Sequence, residues 1–270
     1  MLKRIIGIML ISVMVLSLAS CGNKQDNDDK SLQYIKENGK LIVGLDDSFP
    51  PMGFRDANNE IVGFDIDLAQ AVCEKLGVEL VLQPIDWKAK EQELATRSID
   101  CIWNGLSLTP KNQQNMTTTE PYMVNHITLV VKADSHVNKF EDMTGKSLAV
   151  QSGSAAEETL DDEANKEFKE SLGRINPFDE YVTALMDMES GNSDAVLMDS
   201  VVANYMINDL DKSYKVLDDT LLEDKYVIGF RKGDVALRDA VWNALKELKA
   251  EGKVAEISEK WFGFDITTID

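Results

Sequence analysis

Histidine is nearly missing from this sequence: His126 and His136 are the only two in 270 residues. Neither stands near Cys21, Cys73 or Cys101 at ligand spacing, so zinc chemistry of the usual types has almost no candidate residues, and no metal or cofactor is expected. Basic residues are scarce as well, with 28 Lys and Arg against 47 Asp and Glu and a formal charge of -19. Phosphate backbones repel such a chain, which argues against nucleic acid as a partner. No Ser-His-Asp set and no paired-carboxylate motif stands out, and no catalytic residue is assigned. What is present, 44% hydrophobic and 28% charged residues, suffices for one large or two small cores and is inconsistent with a disordered chain.

The N-terminus reads as an export signal. Met-Leu-Lys-Arg precedes an apolar run from Ile5 to Leu18, shorter than the about 20 residues needed to span a bilayer. Leu18-Ala19-Ser20-Cys21 then resembles a bacterial lipobox, in which the signal is cut before the cysteine and its thiol receives a diacylglycerol. This reading makes residues 1–20 a lipoprotein signal peptide and Cys21 the lipidated residue. It makes the polar, acidic segment 21–34 a flexible tether holding the body off the membrane. Cys73 lies in a helix-like stretch and Cys101 in a strand-like one. Export permits a bridge between them, and buried free thiols are the alternative.

Beyond the tether the pattern alternates. β-rich runs at 41–45, 79–83, 100–103, 127–131, 147–150, 195–198 and 227–230 are separated mostly by helical patterns at 65–76, 88–96, 155–171, 182–189, 201–208 and, in two pieces, 236–261. Strand, helix, strand in repetition implies an α/β fold with parallel sheet. The pattern divides near 127–134, and a similar strand at 225–230 precedes the last helices. Two lobes joined by two crossing strands account for both.

Several motifs follow in order: Gly44-Leu45-Asp46-Asp47-Ser48-Phe49, Val62-Gly63-Phe64-Asp65, Ile85-Asp86-Trp87, Ser107-Leu108-Thr109-Pro110, Glu120-Pro121-Tyr122, Val150-Gln151-Ser152-Gly153-Ser154, Asp194 to Asp199 and Lys260-Trp261-Phe262-Gly263. Together, from Gly39 to Gly263, they resemble the bacterial extracellular solute-binding proteins of polar amino acid ABC transporters (solute-binding protein family 3), lipoprotein type. The resemblance implies a two-lobed periplasmic-binding-protein-like α/β fold of type II. Lobe 1 is discontinuous (35–129 and 228–270), lobe 2 is inserted (130–227), and two strands form the hinge. It also implies capture of one small polar solute, most readily an amino acid or derivative. Delivery would be to an ABC transporter permease, from a lipid anchor on the outer face of the cell membrane or in the periplasm.

The polar residues at strand ends are the candidate site, because open α/β sheets bind ligands beyond the carboxyl ends of their strands. Asp46, the Asn104-Gly105-Leu106-Ser107 segment, Ser154 and Asp199 occupy such ends. Ser154 precedes a helical pattern, where backbone N–H groups attract an anion; an ordinary N-cap explains the same residue. By resemblance, Asp199 receives a ligand ammonium and Asp46 lies near the ligand side chain. A lone strand-end Asp is otherwise a helix cap. Phe49 and Trp103 occupy places that line the cleft in relatives, and Trp87 is either a third wall or core packing.

One position departs from the pattern. Amino acid binders typically carry an Arg two or three residues after the Thr of Ser-x-Thr, gripping the ligand carboxylate; here Asn112 stands there. Lys111 or Lys90 supplies the charge instead, or Asn112 binds a carboxylate weakly, or the ligand is a cationic or neutral solute without one. The alternative function is a cyclohexadienyl or prephenate-type dehydratase on the same fold. A receptor sensor domain would require a second membrane helix and a cytoplasmic module, which the sequence does not carry.

Overall fold

A computed structural model describes residues 29–209 and 212–270. Residues 1–20, read above as a signal peptide, Cys21 and the tract to residue 28 lie outside the described residues. The first element is α1 (Ser31–Asn38), which begins inside the segment read as tether. Its start is fastened to the body: the Ser31 hydroxyl accepts the Leu237 N–H at 3.0 Å, and the Asp29 carboxylate accepts the N–H groups of Ser31 and Ala236. A polar composition hid these two anchors; Ile35 is the helix's fully buried apolar side chain, with Leu32 packed partly buried against the same core.

The chain continues through β1 (Lys40–Leu45), β2 (Ser48–Phe49), β3 (Gly53–Arg55), β4 (Ile61–Val62), α2 (Phe64–Leu76), β5 (Glu79–Pro84), a 3-10 turn at Trp87–Ala89, α3 (Lys90–Thr96), β6 (Cys101–Ser107), α4 (Pro110–Asn115) and β7 (Met116–Thr118). Then follow β8 (Met123–Lys132), β9 (Ser147–Gln151), α5 (Ala155–Leu160), α6 (Lys166–Ser171), β10 (Arg174–Phe178), α7 (Tyr181–Glu189), β11 (Ala195–Asp199), α8 (Ser200–Asp209), β12 (Tyr214–Arg231), α9 (Val235–Ala250) and α10 (Lys253–Phe262). The helical pattern read as continuous from 155 to 171 is broken at Asp161–Asn165, leaving α5 and α6 as two short helices.

The strands order as β10-β9-β11-β8-β12-β6-β1-β5, with β7 also on β12. On one side β5, β1 and β6 run parallel; on the other β10, β9 and β11 do. Between them β8 and β12 pair antiparallel from Tyr214↔Lys132 to Tyr226↔Met123. β12 then leaves β8 to pair with β6 and β7. The two α/β lobes therefore share two long strands. The second crossing strand, expected at 225–230, begins at Tyr214, because charged residues interrupt the apolar alternation in its first half.

Alternation along β8 feeds both cores. Ile127, Leu129 and Val131 pack with Leu148, Val150 and Leu197 of the second lobe, while Val130 joins the larger cluster that includes Val196 and Met198. In the first lobe α9 buries Leu237, Val241, Ala244, Leu245 and Leu248 at helical spacing. Cys73 and Cys101 are both buried and unbridged. Burial pushes the Cys73 thiol up to about 12 and that of Cys101 far above its usual value, so both are inert packing groups. Among the described residues no helix is long and apolar enough to cross a membrane.

Candidate functional site

The carboxyl ends of β1, β6, β9 and β11 converge on a narrow cavity between the lobes. Asp46, Phe49, Trp87, Asn104, Gly105, Ser107, Asn112, Ser154 and Asp199 line it. Trp103 does not. It alternates with Asn104 on β6, so its side chain turns to the opposite face and is fully buried in the first lobe's core. There its indole lies beside Asp65, whose carboxylate accepts the Gly105 N–H at 2.9 Å and the Tyr122 hydroxyl at 2.8 Å. Trp103 is a support beneath the cavity rather than a wall. Asp65, quoted in a sequence motif without a role, fixes the backbone at Gly105. That glycine has φ +63°, and a Cβ on it would come within 2.7 Å of the Phe49 ring.

Asp199 is the most deeply buried acid of the cavity lining. It is 5% exposed, and Asn125 and the Tyr226 hydroxyl donate to its Oδ1 at 2.6 and 2.7 Å. Both bonds fall on one oxygen, and the Tyr181 hydroxyl lies beside the carboxylate as well. Burial and the nearby Asp224 carboxylate push Asp199 up to about 7, against the hydrogen bonds that favour its charge. Asn125 also donates to Asp224 at 3.0 Å, and Ser107 donates its hydroxyl to the same Asp224 oxygen at 2.7 Å. The Ser107 hydroxyl is thus committed to the hinge strand β12. This network ties the two crossing strands to the strand ends, and the sequence reading found neither Asn125 nor Asp224.

Asp46 is held by Ser48, whose N–H and hydroxyl donate to Oδ1, and by Gln151 of the second lobe, which donates to Oδ2 at 2.7 Å. Burial pushes its carboxyl up, opposed by those bonds. Asn104 accepts the Asp46 N–H at 3.1 Å, and its Nδ2 packs against Gly53, where a Cβ would come within 2.5 Å. Asn112 donates to the Ser107 carbonyl at 2.9 Å, and its buried Oδ1 has no partner. Ser154 caps α5: its hydroxyl accepts the Glu157 N–H at 3.2 Å and donates to the Gln151 carbonyl at 2.7 Å. The neighbouring Gly153 N–H is taken by the Glu157 carboxylate at 2.7 Å. The Ser154 hydroxyl and the Gly153 N–H are thus occupied within this turn.

Gln151, Tyr181, Lys90 and Glu158 also line the cavity. Gln151 is legible in hindsight as the polar residue ending the apolar run Leu148-Ala149-Val150. Tyr181 follows β10, which the sequence reading missed because Pro177 interrupts it; the strand tolerates proline because it lies at the sheet edge. Of the two lysines considered for the missing arginine, Lys90 lines the cavity and Lys111 does not, being paired with Glu158 at 2.9 Å and Glu91 at 3.4 Å.

The lobes touch across this cavity. Besides Gln151 and Asp46, Lys90 donates to the Gly153 carbonyl at 2.6 Å, and Thr109 donates to Glu158 at 3.2 Å. The Phe49 and Tyr181 rings meet at 5.8 Å. The result is a closed clamp with buried acids inside.

The sequence profile of the bacterial extracellular solute-binding proteins, family 3, matches residues 41–264. The chain belongs to that family. Among solved structures, a substrate-binding protein of an ABC uptake transporter from Streptococcus pneumoniae, with bound histidine, is 37% identical with a TM-score of 0.85. That comparison covers 89% of this chain and 98% of the other. The L-cystine-binding protein TcyJ of Escherichia coli is 28% identical over 96% of both chains. The arginine-binding protein 1 of an Escherichia coli ABC transporter is 30% identical over 83% of this chain and 90% of its own. These relatives are named as binders, and a solved structure described as an ancestral amino acid-binding protein, a precursor of cyclohexadienyl dehydratase, is 33% identical with a TM-score of 0.78 over 86% of this chain and 99% of the other. As a solute-binding protein, the chain places its buried acids where the two lobes of the family fold meet.

Proposed function

We propose that this solute-binding protein captures an amino acid or close derivative in the cleft and presents the closed clamp to an ABC transporter permease. The observation that carries the reading is Asp199: a buried carboxylate at a strand end that lines the cavity at the junction of both lobes. A ligand ammonium would neutralise it in a dry setting, where a charge-assisted hydrogen bond is strongest. Asp46 would read a polar or cationic group on the side chain, with Phe49 and Trp87 as walls. Lobe 1 comprises α1 through residue 129 and residues 228–270, and lobe 2 residues 130–227. The tether ends before α1, and lipid on Cys21 holds the protein to the outer face of the membrane.

A second reading has support from one feature. The cavity carries three carboxylates, Asp46, Glu158 and Asp199, and position 112 offers no cation, so a cationic solute without a carboxylate also suits it. Thermal-shift screening followed by calorimetry against the protein amino acids, L-cystine, amines and betaines separates the two, since a tight ligand raises the melting point. Binding restricted to molecules without a carboxylate would overturn the amino acid reading.

A further inference from the structure

An amino acid brings a carboxylate as well as an ammonium, and the cleft needs a cation for it. Lys90 is the one basic side chain that lines the cavity. It is 3% exposed, and among the described residues no carboxylate forms an ion pair with it. Its ammonium donates to the Gly153 carbonyl at 2.6 Å, stands 3.4 Å from the Trp87 carbonyl, and lies 5.2 Å from the centre of the Trp87 ring. Two carbonyls and a ring face do not neutralise a buried charge, and an ammonium has three N–H donors to place. The other lysine and the polar groups of the Ser154 turn and of Asn112 are spent or of the wrong polarity, and the donors left over, the Asn104 Nδ2 and the Tyr181 hydroxyl, carry no charge. Lys111 is held outside by Glu158 and Glu91. The Ser154 hydroxyl and the Gly153 N–H are committed within their own turn. Asn112 must point its NH₂ at the Ser107 carbonyl, so the Oδ1 that remains is an acceptor and repels a carboxylate.

We infer that Lys90 is the anion receptor of this cleft, taking the carboxylate of the bound amino acid in place of an arginine at position 112. The inference rests on the amino acid reading above and adds the residue that would distinguish an acid from its amine. Because Lys90 belongs to the first lobe and its present acceptor Gly153 to the second, a carboxylate held there lies between the lobes and favours closure. Burial holds Lys90 down to about 8; Glu158, Glu91 and Glu157 pull it up and Lys111 pushes it down. An amino acid should therefore bind less tightly as the pH rises through about 8, with proton uptake on binding in that range.

Calorimetry on the purified chain, using the twenty protein L-amino acids and L-cystine and then the decarboxylated amine of whichever binds, tests this with the Lys90→Gln variant. Loss of the amino acid by about thirty-fold or more, with the amine held within about three-fold, is expected. Asn112→Arg added to Lys90→Gln should recover the amino acid and leave the amine unchanged. Undiminished amino acid affinity in Lys90→Gln would overturn the assignment, and so would an equal loss of acid and amine, which would make Lys90 only a strap between the lobes. If the parent chain binds no amino acid at all, the amino acid reading itself falls and the role of Lys90 with it.

Discussion

At the scale of single residues the cleft and the strands that support it hold acids kept from water. Asp46, Asp65, Asp199 and Asp224 all have carboxyls pushed up by burial, Asp65 and Asp199 to about 7. A carboxyl raised in the folded state stabilises the fold at low pH, and that contribution is lost as the pH rises through its folded value. The protein should therefore melt at lower temperature as the pH is raised from about 4 to about 7, through Asp65 whether or not the lobes are closed and through Asp199 to the extent that they are. Asp199→Asn should flatten part of that slope; a parent profile flat over this window would contradict the burial of these groups. The same substitution removes the charge offered to a ligand ammonium. Calorimetry should show affinity reduced by about thirty-fold or more with the melting point kept, since losing one partner of a buried charge pair costs about 2–5 kcal/mol in binding.

At the scale of elements, closure depends on the turn between β9 and α5. Gly153 sits there at φ +73°, and a Cβ on it would come within 2.8 Å of the Lys88 Cα in the opposite lobe. Gly153→Ala adds local strain of about 1–2 kcal/mol for the left-handed backbone and a clash that exists only when the lobes meet. It should weaken ligand binding by about ten-fold or more while lowering the melting point by only a few degrees, about what such strain predicts. A variant that melts far earlier would mean the turn supports the fold rather than the closed state. Much of this scale was legible: α2, α7, α9 and the strand cores follow their hydrophobic periods, and Asp46 and Asp199 stand at strand ends by position alone. What escaped had physical reasons. α1 is anchored by Asp29 and Ser31 more than by an apolar stripe; β10 contains Pro177; the first half of β12 carries the exposed run Asp218-Asp219-Thr220. Trp103 was misplaced because strand alternation, not proximity to Asn104, decides which face a side chain takes. Asn125, Asp224 and Gln151 act through partners about 74 to 105 residues away in sequence, and no local pattern announces such pairs.

At the scale of the molecule the two lobes share only β8 and β12, so their separation is governed by what crosses the cleft. Gln151 to Asp46, Lys90 to Gly153, and Thr109 and Lys111 to Glu158 are bonds that exist only in the closed form. Without a ligand they bury acids that water would otherwise solvate, and desolvating a carboxylate costs more than one neutral hydrogen bond returns. A ligand that neutralises Asp199 removes that cost in the closed form alone, which is the differential affinity a population shift requires. Solution scattering should accordingly give a larger radius of gyration for the ligand-free chain than for this closed arrangement, contracting when a ligand found by calorimetry is added. Gln151→Ala should leave the ligand-free radius unchanged and weaken binding, because the bond to Asp46 is made after the lobes meet. An unchanged radius in the presence of measurable heat of binding would mean that the solute enters a rigid cavity, and the clamp mechanism would have to be abandoned.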